Sequence, residues 1–368
     1  MKRLLLIFTL TILVIGATLA AYFLYPNPQY RYRITYLGTL GGDASEAFGI
    51  NNKGEVVGTS TTPRGDIHGY IWTPLSGMKD MGTQKGRDES FVYDINDQGI
   101  AIGRPTTSEA RSVGYLWTAG ERVFKPLDVS PHRVGQPIGI TDAGTISGWV
   151  GSAKERLACV WSATGERSLI KTLGGTSSEA WAINKHGQIA GWSRVAGSSE
   201  EYPFLLDPKI GIKNLIPIGS ASGRALDMND LGQVVGDLKH GPNDTLAFLY
   251  RDGVLTSLGS MRRGTGTVPW AINNKTQVVG RDFVLGDGWR PNLDYMVKDG
   301  LKLLGIPPRE NSRAFLWEEG DLLDLNDLAP VRSGWHLASA NDINDSGQIV
   351  GYALFRGLPR AFLLTPLK

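Results

Sequence analysis

A pattern recurs seven times along this chain: an apolar residue, Asn, two variable residues, Gly, three residues rich in Val and Ile, and a second Gly. The copies are anchored at Asn51, Asn96, Thr141, Asn184, Asn229, Asn273 and Asn344, giving spacings of 45, 45, 43, 45, 44 and 71. A period in the forties marks an architecture built by repeating one supersecondary unit.

The copy Ala47–Gly58 shows what each unit does locally. Two apolar runs of strand length flank Asn51-Asn-Lys-Gly54. Asn suits the first turn position because its side chain bonds to backbone just ahead, and Gly supplies a positive φ. The stretch therefore reads as a tight hairpin. Two copies depart from the rule. Thr141 replaces the Asn and should cap more weakly, and Thr276 replaces the turn Gly, so that turn should be strained or differently built.

A second hairpin comes after each first one. His68-Gly-Tyr-Ile-Trp72 pairs with Met78–Met81, Gly114–Trp117 with Phe124–Leu127, and Ala247–Tyr250 with Val254–Leu258. Each unit thus holds four strands, A to D. Seven such units predict an all-β, seven-bladed β-propeller spanning residues 31–368. The last unit has A, B and C strands but no D, and Arg31–Gly38 is a strand without a hairpin. The N-terminal strand is expected to complete the last blade and so remove two sheet edges. Blade six is longer than the rest. Residues 281–312 read as an insertion carrying its own hairpin, with a degenerate eighth blade as the alternative.

Residues 1–30 differ in kind. Lys2 and Arg3 precede Leu4–Leu24, which carries no charge. About 20 apolar residues span a bilayer, and the basic start places the chain beyond residue 24 outside. The expectation is an N-terminal transmembrane signal-anchor helix with residues 4–24 in the membrane. The alternative is a signal peptide cut after Ala20. Both readings export the propeller. The single cysteine, Cys159, excludes a disulfide framework and reads as a buried apolar residue.

Leu40-Gly-Gly42, Ser45-Glu-Ala47, Ile50-Asn51 and His68-Gly-Tyr-Ile-Trp72, with the near-repeat Leu173–Ala180, resemble the bacterial HAF family of "probable extracellular repeat" proteins. The His-Ala-Phe triplet behind that name survives only in part, as in Leu246-Ala-Phe248 and Arg360-Ala-Phe362. The resemblance implies export and no defined activity.

No chemistry-bearing set stands out. The five histidines form no metal-spaced pair, and no Gly-x-Ser-x-Gly elbow is present. Asp94-Ile-Asn-Asp-Gln-Gly99 and its copies at Asp227 and Asp342 resemble the start of a calcium loop but lack its later ligands, so they read as turns. No cofactor or metal is expected. With 38 basic and 36 acidic residues there is no electrostatic footprint for nucleic acid. The long loops, B–C and D–A, all fall at one end of the propeller. That face carries Arg262, Arg263, Trp289, Arg290, Trp335 and His336, residue types that anchor proteins and sugars. The expected function is a non-enzymatic binding scaffold for a protein or glycan on the loop-rich face. The runner-up is a lyase or glycan-active hydrolase with its site at the mouth of the central channel, which would need converging carboxylates there.

Overall fold

The structure is a computed structural model that describes residues 30–84, 89–106, 113–118, 124–152, 154–241, 244–262, 265–284 and 312–367. The apolar run 4–24, and with it the expected anchor helix, lies outside the described residues. Among the described residues no helix is long and apolar enough to cross a membrane.

Seven sheets of four antiparallel strands make a seven-bladed propeller. The A strands are Ser45–Ile50, Glu89–Ile95, Val134–Ile140, Gly174–Ile183, Ser222–Met228, Thr265–Ile272 and Trp335–Ile343. In six blades A to D succeed one another in sequence. In the seventh, the N-terminal strand Tyr32–Gly38 takes the D position against Leu358–Pro366, in antiparallel register from Tyr32↔Pro366 to Gly38↔Ala361. The ring is thus closed by residues 32–366 alone.

The blades explain the apolar runs. Trp72, Trp117 and Trp161 end three C strands and are buried between sheets, as is Cys159. The second glycine of the repeat has a steric cause. In every blade the A strand bulges three residues before the turn Asn; in blade one the register jumps between Ala47 and Gly49. That bulge presses the A strand onto strand B, so a Cβ on Gly58 would lie 2.0 Å from the Glu46 carbonyl oxygen.

The turn glycines carry φ of +73 to +81°, from Gly99 to Gly144. Thr276 keeps the same turn: its N–H bonds the Asn273 carbonyl at 3.0 Å, with φ +62°. The turn is therefore strained rather than rebuilt. A left-handed β-branched residue costs on the order of 1–2 kcal/mol, and the Thr276 Oγ1 bond to Gln233 Oε1, 2.9 Å, offsets part of that.

Blade six differs from expectation in one boundary. Strand B runs Val278–Val284, pairing Thr265 with Val284, so residues 281–284 belong to the sheet and not to the insertion. Residues 285–311 lie outside the described residues. Strand C resumes at Arg313–Glu318, and a helical turn, Leu325–Leu328, comes directly after strand D. The side chain of Asp324 caps that turn by accepting the Asn326 N–H.

Closure of the last blade should carry much of the stability. The N-terminal strand buries Tyr32, with Ile34 and Tyr36 packed against the same core, and Leu37 in the core shared with blade one. Deleting residues 31–38 should cost at least about 3 kcal/mol, since each fully buried side chain contributes roughly 1.5–3 kcal/mol. Thermal unfolding of the truncated protein checks this; an unchanged midpoint would contradict the closure.

Candidate functional site in the central channel

The turn asparagines do more than cap their own turns. Oδ1 of Asn51 accepts the N–H groups of Lys53 and Glu55 at 3.1 and 2.9 Å. Its Nδ2 donates to the Asn96 carbonyl of the next blade at 3.0 Å. The same bond runs from Asn96 to Thr141, Asn184 to Asn229, Asn229 to Asn273, Asn273 to Asn344, and Asn344 back to Asn51. Six of the seven blade junctions are clasped in this way. The exception is blade three to blade four, because Thr141 has no amide to donate; its Oγ1 stays within the turn, accepting Thr145 N–H at 3.1 Å and donating to the Thr145 carbonyl at 3.4 Å.

The next residue of each turn makes a second ring. Asp97 accepts from Asn52 N–H, Asp142 from Asp97 N–H, Asp230 from Lys185 N–H and Asp345 from Asn274 N–H, at 2.7–3.2 Å. Asn274 and Asn52 serve as acceptors for Asp230 and Asp345. Again the junction from blade three to four is missing, since Lys185 has no carboxylate to offer. Its ammonium instead pairs with Asp230 at 3.2 Å.

Just inside these rings lies a cavity of about 370 Å³, lined by the A strands of all seven blades and therefore on the propeller axis. The bulged residues project into it, Phe48, Tyr93, Trp181 and Trp270 among them. Bulges re-aim side chains, and here they turn aromatic surface toward the axis.

Asp94, Asp227 and Asp342 line the same cavity. Each reaches across to the next blade: Asp94 accepts Ile140 N–H at 3.0 Å, Asp227 Ile272 N–H at 2.8 Å, and Asp342 Ile50 N–H at 2.7 Å. Burial raises all three carboxyls, that of Asp94 to about 6 and that of Asp227 to about 7; the backbone bonds pull the other way. Asp342 is raised further, by burial and then by the negative charge of Asp94 and Asp227. Among the described residues no three His, Cys, Asp or Glu side chains stand close enough to share one metal ion.

Higher along the A strands a second set of buried polar groups occurs. Glu179 bonds Arg156, Trp181 Nε1 at 2.7 Å and Trp192 Nε1 at 3.1 Å. Arg224 pairs with Glu201 at 2.6 Å. Glu46, at the position matching Glu179, has Phe48 and Thr59 where Glu179 has its two tryptophans. Burial pushes its carboxyl up to about 8, against the pull of Arg281. The two glutamates thus share a position without sharing a contact.

Of the six residues expected on the loop-rich face, Arg263, Trp289 and Arg290 lie outside the described residues. Arg262 sits in the loop between blades five and six, with Nη2 3.0 Å from the buried carboxylate of Asp282. The His336 imidazole donates to the carbonyl of Ser312, the residue before strand C of blade six. Trp335 and His336 open strand A of blade seven rather than lying in the loop before it, so that contact ties Ser312 of blade six to the start of the next blade's A strand. Trp335 packs on Phe355, 4.6 Å between ring centroids at 19°, and on Tyr36 at 4.1 Å. Exposed Arg332 lies over Tyr36 and exposed Arg356 over Phe355, at 4.8 and 5.2 Å. Sequence reading found Trp335 but neither arginine, because the ladder joins residues some 300 positions apart. His68, one of the five histidines that form no metal-spaced pair, bonds Asp80 at 2.9 Å.

No protein-family model and no curated protein matches the chain. Solved structures show the fold. A puromycin hydrolase S511A mutant is 11% identical with TM-score 0.56, over 86% of this chain and 51% of that one. Virginiamycin B lyase from Staphylococcus aureus is 11% identical with TM-score 0.55, over 91% of this chain and 100% of that one. The β-propeller domain of the Trilobed protease from Pyrococcus furiosus is 8% identical with TM-score 0.52, over 88% and 98%. The chain spans about half or less of the peptidase and hydrolase chains it resembles. At these identities the likeness is one of fold.

The axial carboxylates make a pH prediction. A group whose folded pKa lies above its unfolded value binds its proton more tightly when folded, so stability falls as pH rises between the two values. For Asp227 that window runs from the ordinary 3.8 to about 7. The stability of the wild type relative to Asp227→Asn should therefore fall between pH 4 and 7, by at most about 4 kcal/mol, and stay level above that. Urea unfolding across this range checks it; a pH-independent difference would contradict it.

Proposed function

We propose that this propeller is an exported binding module, held at the membrane by residues 4–24, that engages a protein or glycan with its loop-rich face. The resemblance to the HAF repeats supports export. The observation that carries the binding reading is the ladder Arg332–Tyr36–Trp335–Phe355–Arg356 on the composite blade. Its aromatic rings pack on one another and give each of two exposed guanidiniums a surface to rest on, which lowers their ordering cost on binding. Preorganised arginines recognise carboxylates and sulfates by paired hydrogen bonds, so the partner is acidic. Trp335 is the support of this patch rather than its contact surface.

The runner-up is a lyase or glycan-active hydrolase at the channel mouth. What favours it is the set of raised carboxyls on the axis, since groups that titrate near neutrality suit acid–base chemistry. The lyase structures add only fold.

Heparin retention of the domain starting at Tyr30 tests the binding reading, with a neutral dextran column as reference. Arg332→Ala plus Arg356→Ala should leave the melting point unchanged and weaken retention by about 1–3 kcal/mol, the usual range for interface anchors. Lys53→Ala plus Gln98→Ala, on the turn face, should have no effect. Loss of retention in the turn-face variant alone would place the binding face at the opposite end.

A further inference from the structure

We propose that the axial cavity binds a small organic polyamine, a cation whose charges are separated by methylene groups. The site lies at the turn end of the channel and is distinct from the loop-rich face.

Three features lead to this ligand class. The first is unused acceptor capacity. Asp94 accepts two N–H bonds, from Ile95 and Ile140, and Asp342 two, from Ile343 and Ile50. An ionised carboxylate offers about four acceptor positions. Each of the three aspartates lies deep in the protein, yet keeps accessible surface, and the cavity is what it lines. Ionising such a half-satisfied buried carboxyl is costly, and a cation donor in the cavity would offset that cost and favour the ionised form.

The second feature is spacing. The aspartates belong to blades two, five and seven, three, two and two blades apart around the axis. They are too dispersed to share a metal ion. A ligand that meets more than one of them must spread its charge over a longer body.

The third is the wall between them. Phe48, Tyr93 and Trp270 give the cavity apolar and π surface, which suits methylenes and ammonium groups together. At the rim four aspartates, Asp97, Asp142, Asp230 and Asp345, stand against one cation, Lys185. A mouth lined mainly by one sign of charge concentrates the opposite ion. Lys185 already seats its ammonium on this ring, at Asp230. A volume of about 370 Å³ is within the range of small-ligand pockets.

Calorimetry on the domain starting at Tyr30 tests the proposal with three probes. Cadaverine carries two ammonium groups on five methylenes, 1,5-pentanediol has the same length without charge, and Mg²⁺ has the charge without the body. Saturable one-to-one binding of cadaverine is expected, with none for the diol and no displacement by equimolar Mg²⁺. Asp227→Asn should weaken cadaverine at least about tenfold, the loss of one charge-assisted bond. Should that variant unfold, Asp97→Asn plus Asp142→Asn at the exposed rim decides, with a weakening of several-fold. Arg332→Ala plus Arg356→Ala should bind cadaverine as the wild type does, so failure of the loop-face reading leaves this result untouched. Absence of saturable binding, displacement by equimolar Mg²⁺, or unchanged affinity in the carboxylate variants would overturn the proposal.

Discussion

The amide of the turn asparagine is the interaction on which the rest depends. One side chain performs two tasks at once: its oxygen closes its own hairpin, and its nitrogen bonds the carbonyl of the next blade's asparagine. These residues are almost wholly buried, from 3% exposed at Asn96 to 5% at Asn344. A buried amide that lost either partner would leave unsatisfied groups costing about 1–3 kcal/mol. The hairpin and the ring are therefore selected by the same atom set. A side chain that capped the turn without reaching the neighbour would leave the turn end of that junction without its clasp, as at Thr141, where blades three and four are joined instead by the Arg156–Glu179 pair and the Ala158 N–H bond to Ser178 Oγ.

The clasp also explains why a cavity forms. Holding seven A strands at one radius leaves space on the axis, and the bulge in each strand turns its side chain into that space. The aspartates of blades two, five and seven repeat the clasp one layer inward, with carboxylates in place of amides. They bond backbone N–H groups of the adjoining blade, whose matching position is Gly139, Ala271 or Gly49. Glycine there lets the following blade come close: a Cβ on Gly49 would lie 3.0 Å from Asp94 Cα, and one on Gly139 3.2 Å from the Trp181 carbonyl oxygen. The cost is charge in a dry place, visible as carboxyls raised to about 6 and about 7. A site with that character can attract a cation, which links the architecture to binding.

Much of this was legible in the sequence, and what was not has a physical reason. Turn chemistry and a fixed period are local, so the blade count, the four-strand unit and the composite blade could be read directly. The strain at Thr276 could be inferred from its place in a glycine pattern. The clasp was hidden because its partners lie about 45 residues apart and the same asparagine already had a local explanation. Asp94, Asp227 and Asp342 were noticed and read as turn residues, because a sequence does not show which next-blade N–H they face. The boundary of the blade-six insertion moved from 281 because Arg281–Val284 lacks the turn signal that ends other strands. Loop length pointed to one face of the propeller, whereas the cavity opens among the short turns, where the information lies in what seven copies build together.

The central claim is that the asparagine clasp, beyond its turn-capping role, holds neighbouring blades together. The junction that lacks it offers the most direct measurement. Thr141→Asn restores the missing amide opposite the Asn184 carbonyl, which now accepts only its own turn bond from Gly187. Urea unfolding of this variant should show a gain of about 0.5–1.5 kcal/mol, the net worth of a hydrogen bond, whereas the reverse change, Asn229→Thr, should show a loss of about 1–3 kcal/mol. A loss for Thr141→Asn, or no effect of Asn229→Thr, would contradict the account.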